Sequence, residues 1–388
     1  MRSTAALTCG FVVIATAAAL VAQQPPAQGR GMGRGTTLVP DAKTATFAKP
    51  ADDNMTLTAV EGIKVGSFTL SERPTGCTVI LAREGTTGSV DVRGGAPGTR
   101  ETDLLNPVNM VQIVNAVVLS GGSAYGLDAA SGVMKFLDER NIGYPVGAAG
   151  VVPIVPAAIL FDLPFGGKPK IRPGADCGYK AADAASEAPV QEGNVGAGAG
   201  ATVGKSGGAR AGQGGGAMKA GLGSAAIKLP NGLVVAAIVA VNAGGDIIDP
   251  WSGQVVAGAR GPDNKLLDAR KLVRGDLAAP ARPGENTTIG LVATNAKLTK
   301  VQAQKMAQMA HDGYARAISP VHTPGDGDTI FSMATGTWTG EANYGQIGAM
   351  AAEAMADAIV RAAITATASE GLPSARDIGT VPARFNKK

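Results

Sequence analysis

Histidine is almost missing from this chain: His311 and His322 are the only two in 388 residues. A histidine-rich zinc site therefore cannot be assembled, and a serine–histidine–carboxylate triad would depend on His322 alone, because His311 falls within a predicted helix. Taken singly, each reads as a surface or packing histidine. Aromatic residues are scarce as well, at 4%. One-sided charge is also lacking: the formal net charge is only +4, and the Lys and Arg residues are scattered instead of forming a stripe. Nucleic acid is therefore disfavoured as a partner. Long apolar runs are confined to the N-terminus, and no later segment is long enough to span a bilayer. Of three cysteines, Cys9 lies inside that N-terminal run, which argues against a lipoprotein. Cys77 and Cys177 remain, and they could pair in an oxidising compartment or stay as two buried thiols.

What the chain does contain is glycine, 55 residues of it, within a composition that is 45% hydrophobic. That suits a packed α/β body with tight turns. Arg2, the uncharged run from Ala5 to Ala22 and the polar Gln23-Gln24-Pro25-Pro26 read as an export signal over residues 1–22, with small residues for cleavage at Ala17, Ala19 and Ala22. An uncleaved anchor is the competing reading. Export places the protein in the periplasm or outside the cell, with no membrane contact once the signal is removed. Residues 23–56, rich in Pro, Gly, Ala and Gln, read as a flexible tether. A single domain is expected over residues 57–388.

Within that domain Ile63–Leu70 and Cys77–Leu81 read as neighbouring strands around the turn Arg73-Pro74-Thr75-Gly76. Asn115–Leu119 reads as a buried strand leading through a glycine turn to a helix from Leu127 to Leu137. The Gly/Ala-rich stretch from Gly193 to Gly223 is too poor in large side chains to form a core layer, so its glycines let backbones approach closely. Leu233–Val241 is a fully apolar strand. Gly261–Glu285 is charged and lacks apolar period, as an exposed loop would. Ile289–Thr294 is a strand, followed by helices over Thr299–Ile318 and Ile347–Thr367.

Two glycine strings tempt other readings and fail on spacing. Gly200-Ala201-Thr202-Val203-Gly204-Lys205-Ser206 would need its first glycine at Ala199 to be a phosphate loop. Gly121-Gly122-Ser123-Ala124-Tyr125 would need glycine at Tyr125 to be a nucleophile elbow, so Ser123 reads as a turn or capping residue. A hydrolase without a histidine base must find its base elsewhere. Asn286-Thr287-Thr288-Ile289 offers one, because a cut before Thr287 would put an α-amine, of ordinary pKa about 7.7–8.0, beside that residue's own hydroxyl. Asp326-Gly327-Asp328 supplies the best acidic pair, with side chains two apart on one face.

Together with Asp91-Val92-Arg93-Gly94-Gly95, Leu119–Gly126 and Val321-His322-Thr323, these strings make the chain resemble the D-aminopeptidase and β-peptidyl aminopeptidase family of N-terminal-nucleophile hydrolases, which includes the nylon-oligomer hydrolase. The resemblance covers Leu57 to about Ala366. It implies an α/β fold, a four-layer αββα sandwich, and a precursor cut between Asn286 and Thr287 into α and β chains that stay together in a homo-oligomer of αβ units. It implies Thr287 as nucleophile, Asp326 and Asp328 as the orienting acids, Asn242 as oxyanion donor and Lys205 as a residue lining the site. Phe161 aligns with a tyrosine of the nylon-oligomer hydrolase and lacks its hydroxyl. The activity so implied is hydrolysis of small peptides or amide oligomers, with no cofactor and no metal expected. An esterase or biosynthetic processing enzyme of the same fold, and a secreted anion-binding protein that never cleaves itself, are the alternatives.

Overall fold

The computed structural model describes residues 46–205, 216–275 and 286–386. The expected signal segment, most of the expected tether and the stretch before Asn286 lie outside the described residues. Ten strands build the two principal sheets: β1 (Ile63–Thr69), β2 (Gly76–Ala82), β3 (Thr87–Val92), β4 (Thr99–Arg100), β5 (Ala116–Ser120), β6 (Ala157–Ile159), β7 (Leu222–Lys228), β8 (Val234–Asn242), β9 (Thr287–Thr294) and β10 (Thr329–Ala334). One five-stranded sheet runs β1-β2-β5-β6-β4, the other β7-β8-β9-β10-β3. Four helices cover them: α1 (Ala129–Asp138) and α2 (Ala175–Asp183) on the first sheet, α3 (Lys300–Ala317) and α4 (Tyr344–Ile364) on the second.

Alternation along the strands explains why the sheets stack. In β8, Val235, Ala237, Val239 and Val241 join the core under α3 and α4, while Val234, Ala236, Ile238 and Ala240 face the other sheet. In β2, Ile80 and Ala82 meet that same central layer, whereas Cys77, Val79 and Leu81 pack under α1 and α2. Strands covered on both faces must be apolar throughout, hence their continuous hydrophobic runs. The result is the αββα sandwich.

Helix limits follow local chemistry. Thr299 caps α3 in a reciprocal capping box with Gln302, and the helix stops at Ala317, ahead of Ser319-Pro320. Cys77 and Cys177 are joined as a disulfide, with Cα atoms 6.2 Å apart, tying β2 to α2. The body begins earlier than the expected boundary at Leu57. Asn54 and Thr56 are buried, the Asn54 side chain donates to Thr58 Oγ1 at 2.9 Å, and Val190 N–H donates to Thr56 Oγ1 at 3.0 Å. The loop expected after Gly261 is pinned where it is described: Ala259 and Ala269 N–H groups donate to the buried Asp246 carboxylate at 2.8 and 2.6 Å.

Candidate active site

Thr287 opens β9 directly opposite Asn242, the last residue of β8. Residues opposite one another in an antiparallel pair share a face, and alternation from Ile289 and Leu291 puts that face toward the layer between the sheets. Thr287 is only 5% exposed. Its hydroxyl donates to the carbonyl oxygen of Asn286 at 2.5 Å. The same oxygen accepts the Gly327 N–H at 3.1 Å. The peptide carbonyl preceding Thr287 thus sits between the Thr287 hydroxyl and a fixed backbone donor.

Gly327 reaches that oxygen because the strand entering β10 runs beside Asn286, which bridges Asp326 in parallel register. The loop is clamped from its other side: Arg93 and Gly94 N–H groups donate to Asp328 O at 3.0 and 3.2 Å, and Ala96 N–H donates to Asp326 O at 2.8 Å. A Cβ on Gly94 would lie 2.3 Å from Asp326 O and from Asp328 N. Only glycine allows this approach.

The two carboxylates are placed by backbone donors. Asp328 Oδ1 accepts Thr288 N–H at 2.7 Å, and Asp326 Oδ2 accepts Thr323 N–H at 2.7 Å. Burial, reinforced by the charge of Asp328, pushes the Asp326 carboxyl above the usual carboxylate range. Asp328 Oδ2 takes the N–H of His322 at 3.0 Å and its ring Nδ1 at 2.9 Å. His322 therefore belongs to the site and is not the bystander its isolation in sequence suggests. The clue in the sequence was its place six residues before Asp328, with only Thr-Pro-Gly-Asp-Gly between. Its ring lies 4.8 Å from that of His311 and 5.9 Å from that of Tyr314. His311 stays a packing residue: burial lowers its pKa to about 3, and Nε2–H donates to Asp91 O at 3.1 Å.

Asn242 is held on three sides. Its Oδ1 accepts Thr202 N–H at 3.1 Å and Lys205 Nζ at 2.8 Å, and its Nδ2 donates to Phe161 O at 2.9 Å. Lys205 also donates to Asn242 O at 3.0 Å. Far from cradling a phosphate, Lys205 fixes Asn242, the residue opposite Thr287. Phe161 contributes its backbone carbonyl to Asn242 and its ring to a cavity of about 220 Å³ that begins here.

A buried ion pair shapes this region and was invisible in sequence, since a lone Arg in a turn and a lone Asp before Leu-Pro carry no pattern. Arg73 and Asp162, both fully buried, meet at 2.9 Å. Arg73 further donates to the carbonyls of Asp162 and Ile171 at 2.5 and 2.8 Å. Lys219 was likewise missed. Its ammonium sits among the carbonyls of Gly198, Ala201 and Ala220, and burial lowers its pKa to about 7 despite the nearby Asp162 charge.

Residues 55–376 match peptidase family S58. A protein of Mycobacterium bovis named as an uncharacterized aminopeptidase is 40% identical over 350 residues, spanning 83% of this chain and 97% of its own. The 6-aminohexanoate-oligomer endohydrolase of a Kocuria species is 31% identical over 318 residues, 78% of this chain and 84% of that one. Among solved structures, the L-aminopeptidase D-Ala-esterase/amidase of Ochrobactrum anthropi, described as a variant of the Ntn hydrolase fold, superposes with a TM-score of 0.61 at 17% identity, over 87% of this chain and 98% of that one. The sandwich is thus that of the Ntn hydrolases, and the chain, a hydrolase of peptide or amide bonds, belongs to peptidase family S58.

Proposed function

We propose that this is a self-processing amide hydrolase whose working nucleophile is Thr287, freed by cleavage of the Asn286–Thr287 bond. The observation that carries the reading is the paired contact on one carbonyl: Thr287 Oγ1 at 2.5 Å and Gly327 N–H at 3.1 Å from Asn286 O. Thr287 Oγ1 adds to the Asn286 carbonyl carbon while Gly327 N–H stabilises the developing oxyanion. The C–N bond breaks, the nitrogen keeps the proton released by the hydroxyl, and an ester joins Asn286 to Thr287 Oγ1. Water hydrolyses that ester, leaving a carboxylate on Asn286 and a free amine on Thr287.

In the processed enzyme that amine takes the hydroxyl proton as Thr287 Oγ1 attacks a substrate amide, then returns it to the leaving amine. Asp326 and Asp328, two acids with no lysine or arginine ion-paired to either among the described residues, hold the new ammonium in register. Asn242, opposite Thr287, is the side-chain oxyanion donor, kept in place by Thr202, Lys205 and Phe161. The substrate is a small peptide or amide oligomer. The N-terminal apolar run supports export to the periplasm or beyond, and the chains stay together as αβ units of a homo-oligomer.

Denaturing electrophoresis of wild type and Thr287→Ala tests this. Two fragments are expected from the first and one from the second, with amide turnover abolished in the variant. A variant that still splits, or still turns over amides, overturns the reading.

A further inference from the structure

Lys219 is fully buried, and among the described residues no carboxylate is in ion-pair contact with it; the nearby Asp162 acts on it only through its charge. An apolar side chain would fill the same space without the cost of taking an ammonium out of water. The charge therefore points to a task beyond packing. Lys219 stands opposite Thr202 in a short antiparallel pair, Thr202–Val203 against Met218–Lys219. From there its Nζ donates to Gly198 O at 3.1 Å, to Ala201 O at 2.9 Å and to Ala220 O. The segment so gripped is bedded against fixed neighbours: a Cβ on Gly198 would lie 2.1 Å from Leu222 N, and one on Gly200 2.4 Å from Asp162 Oδ2.

Ala201 and Thr202 share one peptide group. Its carbonyl oxygen takes the Lys219 ammonium, and its N–H donates to Asn242 Oδ1 at 3.1 Å. Because the group is planar, fixing the oxygen fixes the direction of the N–H. Because it is conjugated, a cation on the oxygen strengthens the N–H as a donor, and a hydrogen bond on Asn242 Oδ1 does the same for Asn242 Nδ2. Ammonium, peptide and carboxamide thus form one polarised row ending on the side-chain nitrogen of the residue opposite Thr287. Lys205 reaches the same Oδ1 at 2.8 Å but is only half-buried. Lys219 is the cation of the two that solvent does not screen.

We propose that Lys219 is a positioning residue of the hydrolase: through the Ala201–Thr202 peptide it orients and polarises the Asn242 carboxamide, so that Nδ2 meets the oxyanion formed on the substrate carbonyl. The inference rests on the reading of Asn242 as oxyanion donor.

The test is a double-mutant cycle on processed protein below pH 7, where the Lys219 ammonium persists, read with p-nitroanilides of α-, β- and D-amino acids. In Lys219→Met, kcat is expected to fall about tenfold with KM held within about twofold, the mark of a contact that matters in the transition state. Lys219→Gln, which keeps two N–H donors without the charge, should fall between wild type and Lys219→Met. A side chain with a packing role alone would rank the two variants the other way, because the amide brings polar atoms into the core. Added to Asn242→Ala, Lys219→Met should cost less than about twofold more, since its route is already cut. Should Lys219→Met not fold, Lys219→Gln takes its place in the cycle, and should Asn242→Ala stay uncut, the ranking of the single variants and their kcat–KM split decide. The same factor in both backgrounds, the reversed ranking, a loss carried by KM, or no loss overturns the inference and leaves Asn242 as oxyanion donor. Wild-type kcat in Asn242→Ala overturns the oxyanion reading beneath it, and no turnover of any p-nitroanilide by wild type cut before Thr287 overturns the hydrolase reading itself.

Discussion

Two acidic regions of this molecule are built with the same means and do opposite things. Asp162 and the pair Asp326/Asp328 are all buried, all reached by backbone N–H donors and all closely approached by glycine. Asp162 has a fully buried guanidinium opposite it, and every oxygen is engaged. Asp326 and Asp328 have each other and, as ring partner, His322. A carboxylate given its own cation becomes a pin that holds a wall. Two carboxylates left one cation short can stabilise a new positive charge, and under the proposed function the amine released by cleavage before Thr287 is that charge.

The contrast can be broken most directly at Asp328. In Asp328→Asn, self-cleavage is expected to slow by about 100-fold or more, the range of a lost acid–base or orienting group, while stability falls by only about 1–3 kcal/mol from the mismatched donors. Rates of precursor loss on gels, set beside denaturant melts, separate the two. Asp162→Ala should reverse the pattern. It leaves Arg73 charged and alone in the core, at a cost of about 3–5 kcal/mol, seen as a large drop in Tm, while the fraction that folds still cleaves itself.

His322 sharpens the comparison, because among the described residues its ring is the one that hydrogen-bonds Asp328 of the proposed acidic pair. Self-cleavage in His322→Ala should be about tenfold slower, a loss of some 1.4 kcal/mol, and His322→Gln, which keeps a donor toward Asp328, should recover part of that rate. Equal rates in the two variants would reduce His322 to packing.

The last test, on a pH slope instead of a rate, concerns Lys219. Its folded pKa of about 7 lies below the ordinary 10.5, so between those values the unfolded chain holds a proton the native one has released. Stability gained from this group therefore rises with pH across that window, by up to about 1.4 kcal/mol per unit, and is flat below about pH 7. The difference between wild-type and Lys219→Met stability curves, measured by denaturant unfolding at several pH values, should show that slope.

Much of the architecture was legible because burial on two faces leaves a plain mark. Leu233–Val241 and Ile289–Thr294 read as strands from apolar runs rich in β-branched residues, and they appear as β8 and β9 with limits moved by a residue or two. The helix expected over Thr299–Ile318 appears as α3, with Thr299 as its cap. The site was legible in part: the structure brings Asn286, Thr287, Asn242 and the Asp326-Gly327-Asp328 loop to one end of the central layer. What stayed hidden had no sequence signature. The Gly327 donor is a backbone N–H, the same on every residue but proline. The Arg73–Asp162 pair spans 89 positions, and the carbonyl cage of Lys219 is made of peptide groups. Asn54 and Thr56 looked like tether because their partners, each other, Thr58 and backbone groups, carry no periodicity.

The central claim is that one peptide bond opens to create the working nucleophile, and mass spectrometry of active, purified protein addresses it most directly. The account predicts a β chain whose first residue is Thr287 and an α chain ending at Asn286, with amide hydrolysis rising in proportion to their appearance. Amide turnover by material in which residues 286 and 287 remain joined would contradict it.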